Sequence, residues 1–255
     1  MSNEPTSVFN DGALTGRGKV NGDRKMSESK VMTTLEQKID PAHAALIVVD
    51  VQNDFCADKG FFGTEGYDLK QIRAADPRIA NLIDYARAAR VKVIFIRSTY
   101  DPHHLNGPMR ERNARRGLNK SRCTTGSWGT EFFEVSPIAG EPVVTKHRYS
   151  AFHGTDLHII LRAWGIRTLI LTGVTTNVCV ESTAREGYFL DHYIVLVSDC
   201  AATTNEDRKD LTSEEIHRWT LTNIELTFGV VVNSNDVIAA WKKIGVLPPA
   251  RAVAS

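Results

Sequence analysis

The sequence predicts an α/β protein: a three-layer α/β/α sandwich, Rossmann-like, on a mostly parallel sheet of about six strands. Two observations carry this. Short apolar runs are continuous rather than alternating, as in strands buried on both faces of a parallel sheet. Helical patterns separate them, which calls for right-handed βαβ crossovers. The length, 255 residues, suits one such unit.

Taken in order, residues 1–40 are rich in Gly, Ser, Asn, Asp and Lys and lack apolar periodicity. They read as an N-terminal extension, partly disordered or clasping a neighbouring subunit. A single α/β domain then spans 41–255. Its strand candidates are 44–50, 91–97, 142–145, 168–173, 193–198 and 229–232. Helical spacing marks 77–90, where Ile79, Leu82, Ile83 and Ala86 share a stripe, and 155–164, with Leu157, Ile160 and Leu161. Further helices are expected over 176–190, 206–226 and 235–243.

Composition narrows the function. Lys+Arg is 31 and Asp+Glu is 30, so neither nucleic acid nor an anionic membrane is expected as the partner. No apolar run reaches membrane-span length, and the polar N-terminus has no secretory h-region. Cys56, Cys123, Cys179 and Cys200 are widely spaced with no Cys-x-x-Cys, which points to reduced thiols in a cytoplasm. Phosphate-cradling and dinucleotide glycine motifs are missing, as is a Gly-x-Ser-x-Gly elbow. No cofactor is expected.

In open α/β sheets ligands bind beyond the carboxyl ends of the strands. Three reactive side chains fall there. Asp50 closes the first run, Lys146 follows 142–145, and Cys179 lies in the first turns after 168–173. A helix N-terminus and a nearby ammonium both favour a thiolate, and free N–H groups there stabilise an oxyanion. The same residues have plainer readings: a small core cysteine, a turn aspartate, a solvated lysine.

The strings around them are specific. LIVVDVQNDFC (46–56), GSWGTE (126–131), KHRYSAF (146–152) and GVTTNVCVEST (173–183) resemble, in order, the motifs of the isochorismatase-like cysteine hydrolases. The likeness spans roughly 41–245. It implies Cys179 as nucleophile, Asp50 as general base and Lys146 as its orienting cation. It further implies a cis peptide joining Val174 and Thr175, an oxyanion hole from the N–H groups of Thr175 and Cys179, and a homo-oligomer, dimer or tetramer. Within the family the chain looks most like the ureidoacrylate amidohydrolases, with biuret hydrolases and N-carbamoylsarcosine amidohydrolases as neighbours. The implied partner is a small amide or ureido substrate.

Asn53, Phe55, Trp128, Tyr149, Phe152 and Asn223 are candidates for the substrate pocket. The basic stretch 110–122 reads as a solvated face, or as the source of an arginine for a substrate carboxylate. Asp101 and His103 have the Asp-x-His spacing that opens the metal set of nicotinamidases. No histidine occurs in 105–146, and His104, adjacent to His103, is expected to point away. No metal is therefore assigned. The alternatives kept open are a nicotinamidase-like amidase and a non-catalytic binding module on the same fold.

Overall fold

Six strands form one sheet, and every ladder in it is parallel. They are β1 (Ala44–Val49), β2 (Lys92–Ser98), β3 (Val143–Lys146), β4 (Thr168–Val174), β5 (Tyr193–Ala202) and β6 (Val230–Val232). The structure is a computed structural model that describes residues 31–205 and 210–245. The spatial order is β3-β2-β1-β4-β5-β6. The chain thus winds outward from β1 in one direction, then from β4 in the other. The crevice between β1 and β4 is the topological switch point, where α/β folds place ligands.

Alternation along β1 supplies both cores. Leu46 and Val48 join one cluster; Ala45, Ile47 and Val49 join the other. Nine helices are described: α1 (Leu35–Lys38), α2 (Asn53–Cys56), α3 (Phe61–Thr64), α4 (Lys70–Ala88), α5 (Gly107–Arg115), α6 (Leu157–Ala163), α7 (Glu181–Phe189), α8 (Ser213–Thr227) and α9 (Ser234–Lys243). The first face is covered by α4 and α9, through Ile79, Leu82, Ile83 and Trp241. The second is covered by α6, α7 and α8, through Leu157, Leu161, Ala184 and Ile224.

Several boundaries depart from expectation for physical reasons. α4 begins at Lys70, not at 77, and carries Pro77 inside it. Pro77 removes the N–H that the Arg73 carbonyl would accept, but Ile72 and Ala75 extend the buried stripe upstream and hold the turn. α8 begins at Ser213, behind a Thr212–Glu215 capping box; of the expected 206–226 helix, residues 206–209 lie outside the described residues. The 176–190 stretch opens as a π-helical turn over Thr176–Val180 before α7. Of the expected extension, 1–30 lies outside the described residues. Residues 34–39 are built onto the domain: Thr34 and Gln37 cap α1 reciprocally, and the buried Trp241 indole donates to the Ile39 carbonyl at 3.0 Å.

Two backbone features open the crevice. Gly173 has φ 111°, and a Cβ there would lie 2.0 Å from the Val49 carbonyl oxygen, so only glycine permits this approach of β4 to β1. β5 shifts register against β4 between Leu171 and Gly173, a bulge beside the site.

α4 also buries Asp76, whose Oδ1 has no hydrogen-bond partner. Burial pushes its carboxyl up to about 6, aided by Glu134 and opposed by Arg73. The folded form binds the proton more tightly than the unfolded chain does. Stability is therefore highest below pH 4 for this group and falls as pH rises to about 6. Asp76→Asn should stabilise the protein at pH 7 by about 2–3 kcal/mol at most. The gain should vanish by pH 4 in denaturant titrations; an equal gain at both pH values would contradict it.

Candidate active site

The reactive centre is assembled from the ends of three strands. Asp50 follows β1 and leaves it in the left-handed region, at φ 52°, which aspartate tolerates better than most residues. Its N–H donates to the Ile96 carbonyl, and its own carbonyl accepts from Gln52. Lys146 ends β3, in register with Ser98 at the end of β2. Cys179 lies in the π turn after β4.

All three side chains are buried, and they meet. Lys146 Nζ is 2.8 Å from Asp50 Oδ2, 2.8 Å from Ser98 Oγ, 3.0 Å from the Arg148 carbonyl and 3.3 Å from Cys179 Sγ. An ammonium has three protons, so these four neighbours share them. Asp50 Oδ1 is buried with no hydrogen-bond partner among the described residues. The Val174–Thr175 peptide is cis.

Burial disfavours the Lys146 ammonium, but Asp50 and the other acidic groups around it outweigh that, and its pKa is held above the ordinary lysine value. For Cys179 the balance runs the other way. Burial is the largest effect, Lys146 opposes it, Asp50 adds to it, and the thiol is pushed up to about 12. The helix start and the ammonium pull toward a thiolate, as expected, but burial outweighs them. At neutral pH the sulfur keeps its proton, and a base must take it during attack.

The motif strings form two mutual scaffolds. In the first, the Gln52 amide donates to the carbonyls of Ser98 (3.0 Å) and Thr130 (3.1 Å) and accepts the Ser98 N–H (2.8 Å). Asn53 donates to the Trp128 carbonyl, and Asp54 accepts from the Phe61 and Cys123 N–H groups. A Cβ on Gly129 would fall 2.2 Å from Asp54 Oδ2, which explains the second glycine of Gly-Ser-Trp-Gly. In the other scaffold, Thr183 Oγ1 donates to the Cys179 carbonyl and accepts the Ala151 N–H, tying the lysine segment to the nucleophile turn.

A cavity of about 40 Å³ opens onto Asp50 and Cys179, with Lys146 buried behind them. Asp50, Val174, Thr175 and Cys179 form its floor; Phe55 and Tyr149, as expected, stand in its wall. The other four pocket candidates lie outside the lining. Asn53 spends its amide on Trp128, Trp128 is half exposed with its carbonyl turned to Asn53, Phe152 packs in the second core beside His192, and Asn223 donates to Glu181. The sequence reading missed Phe61, Phe62 and Tyr67, an aromatic wall with ring centroids 5.2–6.2 Å apart. Paired aromatics after Gly60 were the available signal.

The basic stretch divides. Arg112, Arg116 and Arg122 line the cavity, whereas Arg115 and Lys120 pair with Glu111 and Glu65. Arg112 lies 5.9 Å over Tyr149, and Arg122 lies over Phe61 (5.3 Å) and Tyr100 (5.4 Å). Asp50 is the one acidic residue in the lining.

Asp101, His103 and His104 bring donor atoms within 4.8 Å of one another. The 3-10 turn over Pro102–His104 makes the neighbouring imidazoles converge, contrary to the extended-chain expectation. Both Asp101 oxygens accept from Thr125, His104 stacks on His147 at 3.5 Å, and none of the three lines the cavity. His104 Nδ1 is buried without a hydrogen-bond partner, so the cluster fits a cation in donor chemistry while standing apart from the reactive floor.

The fold and this floor define an α/β protein of one parallel sheet with a buried Asp–Lys–Cys cluster at its switch point. The isochorismatase domain model matches residues 44–236, and the chain belongs to that family. It is 35% identical over 229 residues to the ureidoacrylate amidohydrolase RutB of Methylobacterium radiotolerans, covering 85% of this chain and 84% of the relative. The Serratia proteamaculans enzyme of the same name is 35% identical over 197 residues, 69% of this chain and 78% of that one. A cysteine hydrolase structure from Pseudomonas syringae pv. phaseolicola 1448A superposes with TM-score 0.71 at 29% identity, covering 81% of this chain and 95% of that one.

Removing the ammonium leaves the Asp50 charge buried and unpaired. Lys146→Ala should cost about 3–5 kcal/mol in chemical denaturation at pH 7. The loss should shrink in the Asp50→Asn background; an undiminished loss there would show that the ion pair is not its cause.

Proposed function

We propose that the protein is a cysteine amidohydrolase that cleaves the carbamoyl or ureido C–N bond of a small molecule. The observation that carries this is the contact of Lys146 with both Asp50 and Cys179 on the floor of a narrow, arginine-rimmed cavity. The two relatives named ureidoacrylate amidohydrolase support the bond type.

In this mechanism Asp50 takes the Cys179 proton as sulfur attacks the carbonyl carbon, and Lys146 holds the charges in place. The oxyanion is received by the N–H groups of Thr175 and Cys179. The π turn supports this assignment: the Thr175 carbonyl accepts from Val178 and Val180, at 3.2 Å each, rather than from Cys179. Protonated Asp50 returns its proton to the leaving nitrogen. Water, deprotonated by Asp50, then opens the thioester, releases carbamate and restores the thiol.

The three lining arginines favour an anionic ureido acid over a neutral substrate, because a guanidinium fork matches a carboxylate. A ureidoacrylate-like compound has this form.

Ammonia release from ureidoacrylate, biuret, N-carbamoylsarcosine and nicotinamide provides the test. Turnover of a ureido compound should fall at least about 10³-fold in Cys179→Ala and survive exhaustive chelation. Loss on chelation, with nicotinamide as the substrate hydrolysed, would favour a metal-dependent amidase using Asp101, His103 and His104. Arg112→Ala should raise KM about tenfold for ureidoacrylate and leave biuret unchanged; equal effects on both would remove the carboxylate role.

A further inference from the structure

Tyr100 is not required by the mechanism above, yet it is buried, lines the cavity, and is linked by hydrogen bonds to the reactive floor. Its Oη lies 3.3 Å from Ser98 Oγ, which lies 2.8 Å from Lys146 Nζ. Distance alone leaves the donor in the Ser98–Tyr100 pair open. The lysine decides it. An ammonium only donates, so Ser98 Oγ accepts from Lys146. The Ser98 hydroxyl proton then has one acceptor among the described residues, Tyr100 Oη. The reverse polarity, with Tyr100 donating to Ser98, would leave a buried serine proton without an acceptor, a costly arrangement.

Ser98 is held firmly for this task. The Gln52 side chain pairs with both its N–H and its carbonyl, and Ser98 is fully buried. Tyr100 itself is fixed by its N–H, which donates to the Cys123 carbonyl at 3.0 Å. Burial, reinforced by Cys179 and Asp50 and opposed by Lys146, keeps the phenol protonated throughout the neutral range. The Arg122 guanidinium lies over the same ring, 5.4 Å from its centroid, and lines the same cavity.

We infer that Tyr100 is a substrate-positioning hydrogen-bond donor: Ser98 and Lys146 orient its hydroxyl so that the phenolic proton is presented to the cavity, where, with Arg122, it receives the carboxylate of a ureido acid. This rests on the amidohydrolase reading and adds to it a residue that selects the substrate. The Lys146 ammonium thereby acts twice, holding Asp50 directly and fixing the polarity of the Tyr100 hydroxyl through Ser98.

Tyr100→Phe removes one oxygen and keeps the ring under Arg122, so kinetics on ureidoacrylate and biuret provide the test. KM for ureidoacrylate should rise about tenfold, the loss expected for one hydrogen bond to a charged group. Its kcat should stay within about twofold, and both constants for biuret should be unchanged. In a Ser98→Ala background, where the polarity is no longer imposed, the same substitution should change KM less than about twofold. Ser98→Ala alone is expected to lower kcat, through Lys146. Wild-type turnover with an unaltered KM in Tyr100→Phe, or equal losses on both substrates, would overturn the inference and leave the amidohydrolase reading standing. An undiminished effect in the Ser98→Ala background would overturn the relay. Failure of the wild type to hydrolyse any ureido compound would overturn both readings together.

Discussion

The buried ion pair between Asp50 and Lys146 is the constraint around which the rest of the site is organised. Two full charges at 2.8 Å inside a protein offset each other's desolvation only where geometry and further hydrogen bonds are good. The fold meets that demand with its most rigid parts. Asp50 and Lys146 come from the ends of β1 and β3, with β2 between them in the sheet, and Ser98 at the end of β2 fills the gap as a third partner. A one-residue slip of β3 against β2 would turn Lys146 to the other face and leave Asp50 without a counter-charge. Sheet register and site chemistry are therefore one requirement.

That pair also explains why the cysteine rests as a thiol. Lys146 would support a thiolate if it faced Cys179 alone, but its charge is already balanced by Asp50, and burial then decides the outcome. In the proposed mechanism the carboxylate that cancels the ammonium is also the base that takes the thiol proton. As the proton moves from sulfur to Asp50, the ammonium loses one anionic neighbour and gains another. Lys146 remains paired throughout, so the proton transfer costs little electrostatic reorganisation.

Much of this was legible in the sequence. The continuous apolar runs identified all six strands; the signal is strongest in β1 and β4, which are buried throughout, and the edge strands β3 and β6 kept short apolar runs despite partial exposure. The strand-end rule then placed Asp50, Lys146 and Cys179 together. Elements that bury little were not legible. α5 has no buried residue, so it carries no apolar stripe, and only its Asn106 cap and the following Gly-Pro marked it. The arginines it brings to the cavity read as a solvated face because a charge pattern does not reveal which side of a loop faces inward. Asn53, Trp128, Phe152 and Asn223 went astray for a related reason. Closeness in sequence to a reactive residue reflects scaffolding as often as substrate contact. Asn53 and Trp128 serve the site by bonding to each other.

The same scaffolding shows how a loop-built pocket stays precise. Cavity walls on loops are ordinarily the mobile part of an α/β enzyme. Here the segment after β1 is tied to 126–133 by Gln52 and Asn53, and Gln52 also fixes Ser98. Asp54 reaches both α3, which bears the aromatic wall, and Cys123, the neighbour of Arg122. The floor, the aromatic wall and one cationic side thus share a single hydrogen-bonded frame anchored on β1 and β2. Arg112, carried by α5, stands outside that frame. The cavity therefore joins a rigid reactive floor to a more independently placed basic edge, an arrangement in which substrate preference can change by substitution in α5 without disturbing Asp50, Lys146 and Cys179.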